Sequence, residues 1–220
     1  MARTGIAQSV DAFGDDRDGN AARVSAHQGA ARRLEILDAA RELIYARGYA
    51  SASMRDIAAA VGVTQAALYY HFRNKEEILF ALIESFTDML STQLRAALDT
   101  DEEPVAGLRN AIRTHILLVP SHYREFKLVS EDKKLLGGRF RDMVRKRERE
   151  IYGLYKGRIE ELREAGLLAG IEVSVCTFNI LAMINFVAQW YQPDGPLTLE
   201  DVADQTVALA LNGLLARPPA

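Results

Sequence analysis

The stretch from Ser53 to Phe72, S-M-R-D-I-A-A-A-V-G-V-T-Q-A-A-L-Y-Y-H-F, constrains the fold of this chain more than any other. Ser53 is a good N-cap, because its hydroxyl can accept from an orphan backbone N–H, and Asp56 sets a negative charge in the first turn. Ile57, Ala58 and Val61 form a narrow apolar stripe at helical spacing. Gly62 ends that helix, where a left-handed residue is needed and a Cβ would clash. Val63 can fill the angle that follows, and Thr64 caps a second helix from Gln65 to Tyr70. Two short capped helices around a tight turn make a helix-turn-helix. A plain helical pair with a glycine turn is the competing reading.

The outer face of the second helix favours the first reading. Gln65 can pair bidentately with an adenine edge. Ala66 and Ala67 are small enough to let the helix sink into a major groove, where their methyls can meet thymine methyls. Tyr69, Tyr70 and His71 offer donors at phosphate height, while Leu68 and Phe72 point back to a core. Ser53 and Arg55 on the first helix join the candidate DNA contacts. So does Lys75, in the first turn of the next helix. A cation there opposes the helix dipole, and a DNA phosphate would offset it.

With these residues in view, the chain resembles the tetracycline-repressor (TetR) family of transcription regulators. The likeness covers about Arg33 to Phe86 and runs through Ile36-Leu-Asp-Ala-Ala-Arg-Glu-Leu43, Arg47-Gly-Tyr49, Ser53-Met-Arg-Asp-Ile-Ala58, Gly62-Val63, Leu68-Tyr-Tyr-His-Phe72 and Lys75-Glu-Glu-Ile-Leu79. It implies that Thr64, Gln65, Ala66, Tyr69, Tyr70, His71 and Lys75 face DNA. It also implies a C-terminal helical part that binds a small molecule and dimerises. A weaker likeness, over Trp190-Tyr-Gln-Pro-Asp-Gly-Pro-Leu-Thr198, is to the subgroup that controls fatty-acid, sterol or aromatic-acid breakdown in response to acyl-CoA thioesters.

The net charge of −3 opposes DNA binding until its distribution is considered. Residues 23–75 hold eight cations (Arg23, Arg32, Arg33, Arg41, Arg47, Arg55, Arg73, Lys75) and four anions (Glu35, Asp38, Glu42, Asp56), so 8 − 4 = +4 and the remainder sums to −3 − 4 = −7. Positive charge is concentrated where the motif sits. One cysteine, Cys176, excludes an internal disulfide and fits a reducing cytoplasm. No signal peptide, uninterrupted membrane-length apolar run or metal-ligand spacing is read, so no membrane partner, metal or cofactor is expected.

The periodicity predicts an all-α chain of about nine helices. Residues 1–28 read as a disordered arm, 29–76 as the helix-turn-helix domain, and 77–220 as a ligand-binding and dimerisation domain. The first helix is expected from about Arg32 to Arg47, with Leu34, Leu37, Ala40 and Ile44 buried. A long helix follows Asn74, with Ile78, Leu79, Leu82, Ile83, Phe86, Leu90 and Leu94 inward. Further helices are expected over about 105–119, 123–136, 139–165, 173–191 and from Thr198 onward. The helix over 173–191 is apolar almost all round, so it must be covered on every side, by a ligand and by a partner subunit. Val207, Leu211 and Leu214 in the last helix are the candidate dimer contacts.

Two arginines on the helix over 139–165 fall among apolar positions. Arg147 lies between Val144 and Ile151, and Arg158 between Tyr155 and Leu162. A buried guanidinium needs a partner. Either an anionic ligand group meets it, or it pairs with Glu148, Glu150 or Glu161 or snorkels to solvent. Phe86, Ile112, Ile151, Phe178, Ile184 and Trp190 are the candidate apolar wall around such a ligand.

These features point to a DNA-binding repressor released from a palindromic duplex by a small-molecule effector, an acyl-CoA thioester fitting best, and acting as a homodimer. A repressor of an efflux or stress gene induced by a lipophilic drug-like compound is one alternative. A ligand-free architectural DNA-binding protein is the other. An enzyme is not expected: no clustered nucleophile, paired inward carboxylates or glycine-rich phosphate loop is found.

Overall fold

The computed structural model describes residues 17–99, 104–118, 122, 124, 128 and 132–214, with backbone alone for 17–26, 104 and 214. It is built of helices, with no strand among the described residues. In chain order these are α1 (Arg17–Arg47), α2 (Met54–Val61), α3 (Gln65–His71), α4 (Lys75–Leu98), α5 (Pro104–Leu117), a 3-10 turn (Asp132–Leu135), α6 (Gly138–Glu164), α7 (Val173–Trp190) and α8 (Leu199–Leu214). The helix expected over 123–136 lies mostly outside the described residues.

Two apolar cores divide the molecule. The first holds Ile36, Leu37, Ala40 and Ile44 of α1, Ile57 and Ala58 of α2, Leu68 of α3, Phe72, and Ile78–Ile83 of α4. The second holds Phe86 to Leu98 of α4 together with the inward faces of α5, α6, α7 and α8. The helix α4 therefore serves both: the boundary between the cores falls near its middle, beyond its first turn. The helix α6 does the same in the opposite sense. Its Val144 belongs to the first core, and Ile151, Tyr155, Ile159 and Leu162 belong to the second.

Three expectations about these helices are corrected. First, α1 begins at Arg17, so residues 17–28 are helical, and only residues 1–16 of the expected arm stay outside the described residues. Ala21, Ala22, Ala26, Ala30 and Ala31 are strong helix formers, and no proline interrupts them. Second, Leu34 is 62% exposed and Ile36 takes its place in the core. Third, the buried face of α6 reads Val144, Ile151, Tyr155, Ile159 and Leu162, and Arg147 and Glu148 are both half-buried at its edge. Arg147 and Arg158 flank that face and do not sit on it.

By length and composition α7 could cross a membrane. Here one side of it, with Val173, Cys176, Thr177, Ile180, Ile184 and Val187, is buried in the second core. The other side leaves Val175, Phe178, Phe186 and Trp190 exposed.

Candidate functional site

The helix-turn-helix forms as its caps require. The Ser53 hydroxyl accepts from the Asp56 N–H at 3.2 Å, and the Asp56 carboxylate accepts in return from the Ser53 N–H at 3.2 Å. The Ser53 hydroxyl also donates to that carboxylate, and this bond holds the Asp56 carboxyl below its usual range. Gly62 has φ 71°, the left-handed conformation, and lets Val63 N–H close on Ala58 C=O at 3.0 Å. The Thr64 hydroxyl accepts from Ala67 N–H at 3.1 Å and starts α3. Leu68 and Phe72 are buried.

What remains outward on α3 is Gln65, Ala66, Ala67, Tyr69 and Tyr70, the last 86% exposed. Thr64 and Arg55 are exposed beside them, while Ser53 and His71 are half-buried. Arg33 of α1 lies 4.0 Å over the Phe72 ring and donates to His71 C=O at 3.2 Å. A cation thus closes the C-terminal end of α3, where the dipole favours it.

Lys75, the phosphate contact read from its position, is held by the protein's own backbone in this structure. Its ammonium donates to the carbonyls of Tyr49 at 2.6 Å, Ala52 at 2.7 Å and Ala50 at 3.3 Å, and sits 4.3 Å from the Tyr49 ring centroid. An ammonium has three donors, and all three are taken. Lys75 therefore pins the loop between α1 and α2 to the start of α4. The cation that looks misplaced against the dipole of its own helix answers carbonyls of the loop that follows α1. Beside it, the Glu76 carboxylate accepts from Gly137 N–H at 2.6 Å, just ahead of α6, and Phe80 stacks on Phe140 at 4.8 Å.

Between α4, α5, α6 and α7 lies a chamber of about 850 Å³ that is open to solvent on the side of Phe178, Arg145 and Arg149. Phe86 and Leu90 of α4, Ile151 of α6 and Phe178 and Leu181 of α7 supply most of its apolar wall. Of the wall expected from sequence, Phe86, Ile151 and Phe178 are present. Ile112 and Ile184 are fully buried in the core behind it, and Trp190 is half exposed at the end of α7.

Arg147 does not reach the chamber. It pairs with Asp88 at 2.9 Å and Glu150 at 3.1 Å, and the Glu150 bond raises its already high pKa. Arg158 donates to Leu98 C=O at the end of α4 and pairs with Glu161 at 2.9 Å. It lies across Gly107, where a Cβ would come within 3.0 Å of its guanidinium carbon. Both arginines take the structural alternative. The cations at the chamber are Arg145 and Arg149, one turn apart on α6 and exposed at its mouth. Glu148 lies between them and pairs with Lys133 of the 3-10 turn.

Sequence reasoning missed a polar group in the wall. His115 is buried and its Nδ1 lies 3.1 Å from the Tyr155 hydroxyl, which donates to Ala111 C=O at 3.1 Å. With the hydroxyl hydrogen committed to the carbonyl, Nδ1–H is the donor to Tyr155. Burial lowers the His115 pKa to about 3, so the ring is neutral near pH 7. The signal was present: His115 falls between Ile112 and Ile116 on the apolar stripe of α5.

The candidate dimer residues are also rearranged. Val207 and Leu211 are buried within the protomer, and the Leu214 side chain lies outside the described residues. Leu209, 68% exposed, takes the outward position on α8.

Known proteins agree with this architecture. A family model described as bacterial regulatory proteins, tetR family, matches residues 36–82, and one described as the tetracyclin repressor-like C-terminal domain matches residues 101–214. The HTH-type transcriptional repressor KstR2 of Mycolicibacterium smegmatis is 26% identical over 191 residues, covering 85% of this chain and 92% of its own. KstR2 of Rhodococcus jostii is 28% identical over 186 residues, covering 83% and 91%. The crystal structure of AibR in complex with isovaleryl coenzyme A and operator DNA superposes with a TM-score of 0.75 at 32% identity, covering 81% of this chain and 97% of that one. With a helix-turn-helix head, a hollow helical body and both family models in register, the chain belongs to the TetR family of DNA-binding transcriptional regulators.

Proposed function

We propose that the protein is a homodimeric repressor released from a palindromic operator by an acyl-CoA thioester. The observation that carries the effector reading is the chamber: an apolar interior of about 850 Å³ whose mouth bears Arg145 and Arg149. Its size suits a small ligand, its wall suits an acyl group, and its mouth suits an anion. The likeness to AibR, solved with isovaleryl coenzyme A and operator DNA, supports the same class.

Dimerisation is supported by the outward face of α7 and α8. Val175, Phe186 and Trp190 are exposed along one side of α7, and Leu209 faces out from α8. An apolar stripe of that length favours a self-complementary partner, and four helices would meet at the seam. Two copies of α3 would then enter major grooves about 34–36 Å apart or at a related spacing. Gln65 reads a base in this arrangement, while Tyr69 and Tyr70 meet phosphates. Gln65→Ala is expected to change preference at one base position by about 1–3 kcal/mol. An unchanged preferred sequence would remove Gln65 from the reading.

Release requires that the effector bind the DNA-incompetent arrangement more tightly, since equal affinity shifts nothing. The experiment is a titration of operator-bound protein with short, medium and long acyl-CoAs and with the matching free acids. Release by thioesters alone is expected. Equal release by free acids, or none by any thioester, contradicts the effector class. Release by uncharged lipophilic compounds alone supports the drug-like alternative.

A further inference from the structure

A second groove, of about 340 Å³, adjoins the chamber and shares Arg145 and Glu148 with it. Its other lining residues are Lys133, Lys134, Arg141 and Val144. Four cations against one carboxylate give 4 − 1 = +3. Glu148 is already paired with Lys133, so Lys134, Arg141 and Arg145 leave a surplus of positive charge around a concave surface. Such a groove selects a ligand with several negative charges, and guanidinium groups favour phosphate oxygens in particular.

The position of the groove matters as much as its charge. Arg141 Nε donates to Leu136 C=O at 2.9 Å, and Leu136 is fully buried in the core that carries the DNA-binding helices. Val144, in the groove lining, belongs to that core too. The next residue after Leu136 is Gly137, whose N–H is held by Glu76 at the start of α4, beside Lys75. A group bound among Lys134, Arg141 and Arg145 thus sits next to the joint between α6 and the head. The apolar end of the chamber, at Leu90 and Leu181, contacts the body alone.

We infer that this groove is the phosphate subsite of the effector, and that filling it, more than filling the apolar chamber, drives release from DNA. The inference rests on the acyl-CoA reading above and divides its ligand in two. The acyl group occupies the chamber and supplies affinity. The phosphorylated end crosses Arg145 into the groove, competes with Leu136 C=O for Arg141 and with Glu148 for Lys133, and loosens the contact of Gly137 with Glu76.

The test compares octanoyl-CoA with S-octanoyl-pantetheine, which keeps the thioester and lacks the phosphates. Binding is read by calorimetry, and release by the anisotropy of labelled operator. Octanoyl-CoA is expected to bind and release. The pantetheine thioester is expected to bind about tenfold or more weakly, and to leave operator bound even at concentrations that saturate the protein. Lys134→Glu should weaken octanoyl-CoA by a similar factor and leave pantetheine thioester binding unchanged. Arg163→Ala, a charge change on the exposed end of α6 away from the groove, should alter neither. If both ligands release operator equally once saturating, or if Lys134→Glu and Arg163→Ala respond alike, the groove is not the subsite. If octanoyl-CoA does not bind while another thioester releases operator, repeating the pair with that acyl group decides the same point. If no thioester binds, the acyl-CoA reading fails and this inference falls with it.

Discussion

The head and the body of this molecule are specified over different distances along the chain. In the head, one short segment supplies the caps, the turn and the outward face. Ser53 meets Asp56, Val63 meets Ala58 and Thr64 meets Ala67. In the body, the chamber draws on Phe86, His115, Ile151 and Asn185, from four helices. Local chemistry therefore determines what the head presents, and tertiary packing determines which side chains the body presents. Where the two meet, single side chains reach across: Lys75 to the carbonyls of Tyr49 and Ala52, and Glu76 to Gly137.

The largest effect is expected where the head has least redundancy. Leu68 is the buried residue of the short helix α3. Leu68→Ala should cost about 2–5 kcal/mol and abolish operator binding. Thermal unfolding followed by circular dichroism, beside operator binding, checks both. If the difference between head and body holds, the chamber should still take up its ligand.

Acid should unsettle the body through His115. Its pKa is depressed in the folded state to about 3, against an ordinary value of 6.5. The unfolded chain therefore binds the extra proton between these values, and stability is full above about pH 6.5 and lost as pH falls toward 3. The loss from this one ring should reach about 2 kcal/mol by pH 5. Melting curves of the wild type and His115→Gln across this range isolate it, because other titrating groups are common to both. Parallel curves would show that the buried ring does not titrate as assigned.

Lys75 tests the joint. As a clamp on three carbonyls, its replacement by Ala should cost about 1–2 kcal/mol and weaken operator binding through a loosened loop. The slope of operator affinity against salt should stay the same. A phosphate contact would instead lower that slope by about one ion without a change in melting temperature. The smallest effect is expected at Arg147. Its pairs with Asp88 and Glu150 are partly exposed, so Arg147→Ala should cost about 0–1 kcal/mol in thermal unfolding.

Legibility in the sequence follows the same division. The turn at Gly62, the caps and the buried face of α4 could be read directly, because periodicity and capping are short-range. Lys75 could not, since its partners lie some twenty-odd residues earlier and only the fold brings them near. Arg147 and Arg158 were ambiguous for a geometric reason. One position along a helix turns a side chain by about 100°, so Arg147 and Glu148 fall on the two edges of the buried face and periodicity alone does not say which one turns inward. The same uncertainty obscured Arg145 and Arg149. Val207 and Leu211 were misread because α8 has apolar residues on more than one side, and composition cannot say which side meets the protomer's own core.

In the proposed function the anionic effector enters the body through the α6 face bearing Arg145 and Arg149. The most direct measurement is the concentration of octanoyl-CoA needed to release operator from three variants: Arg145→Ala, Arg149→Ala and Arg147→Ala. The first two are expected to need about tenfold more ligand, and the third to match the wild type. A response lost in Arg147→Ala and kept in the other two would contradict that route of entry.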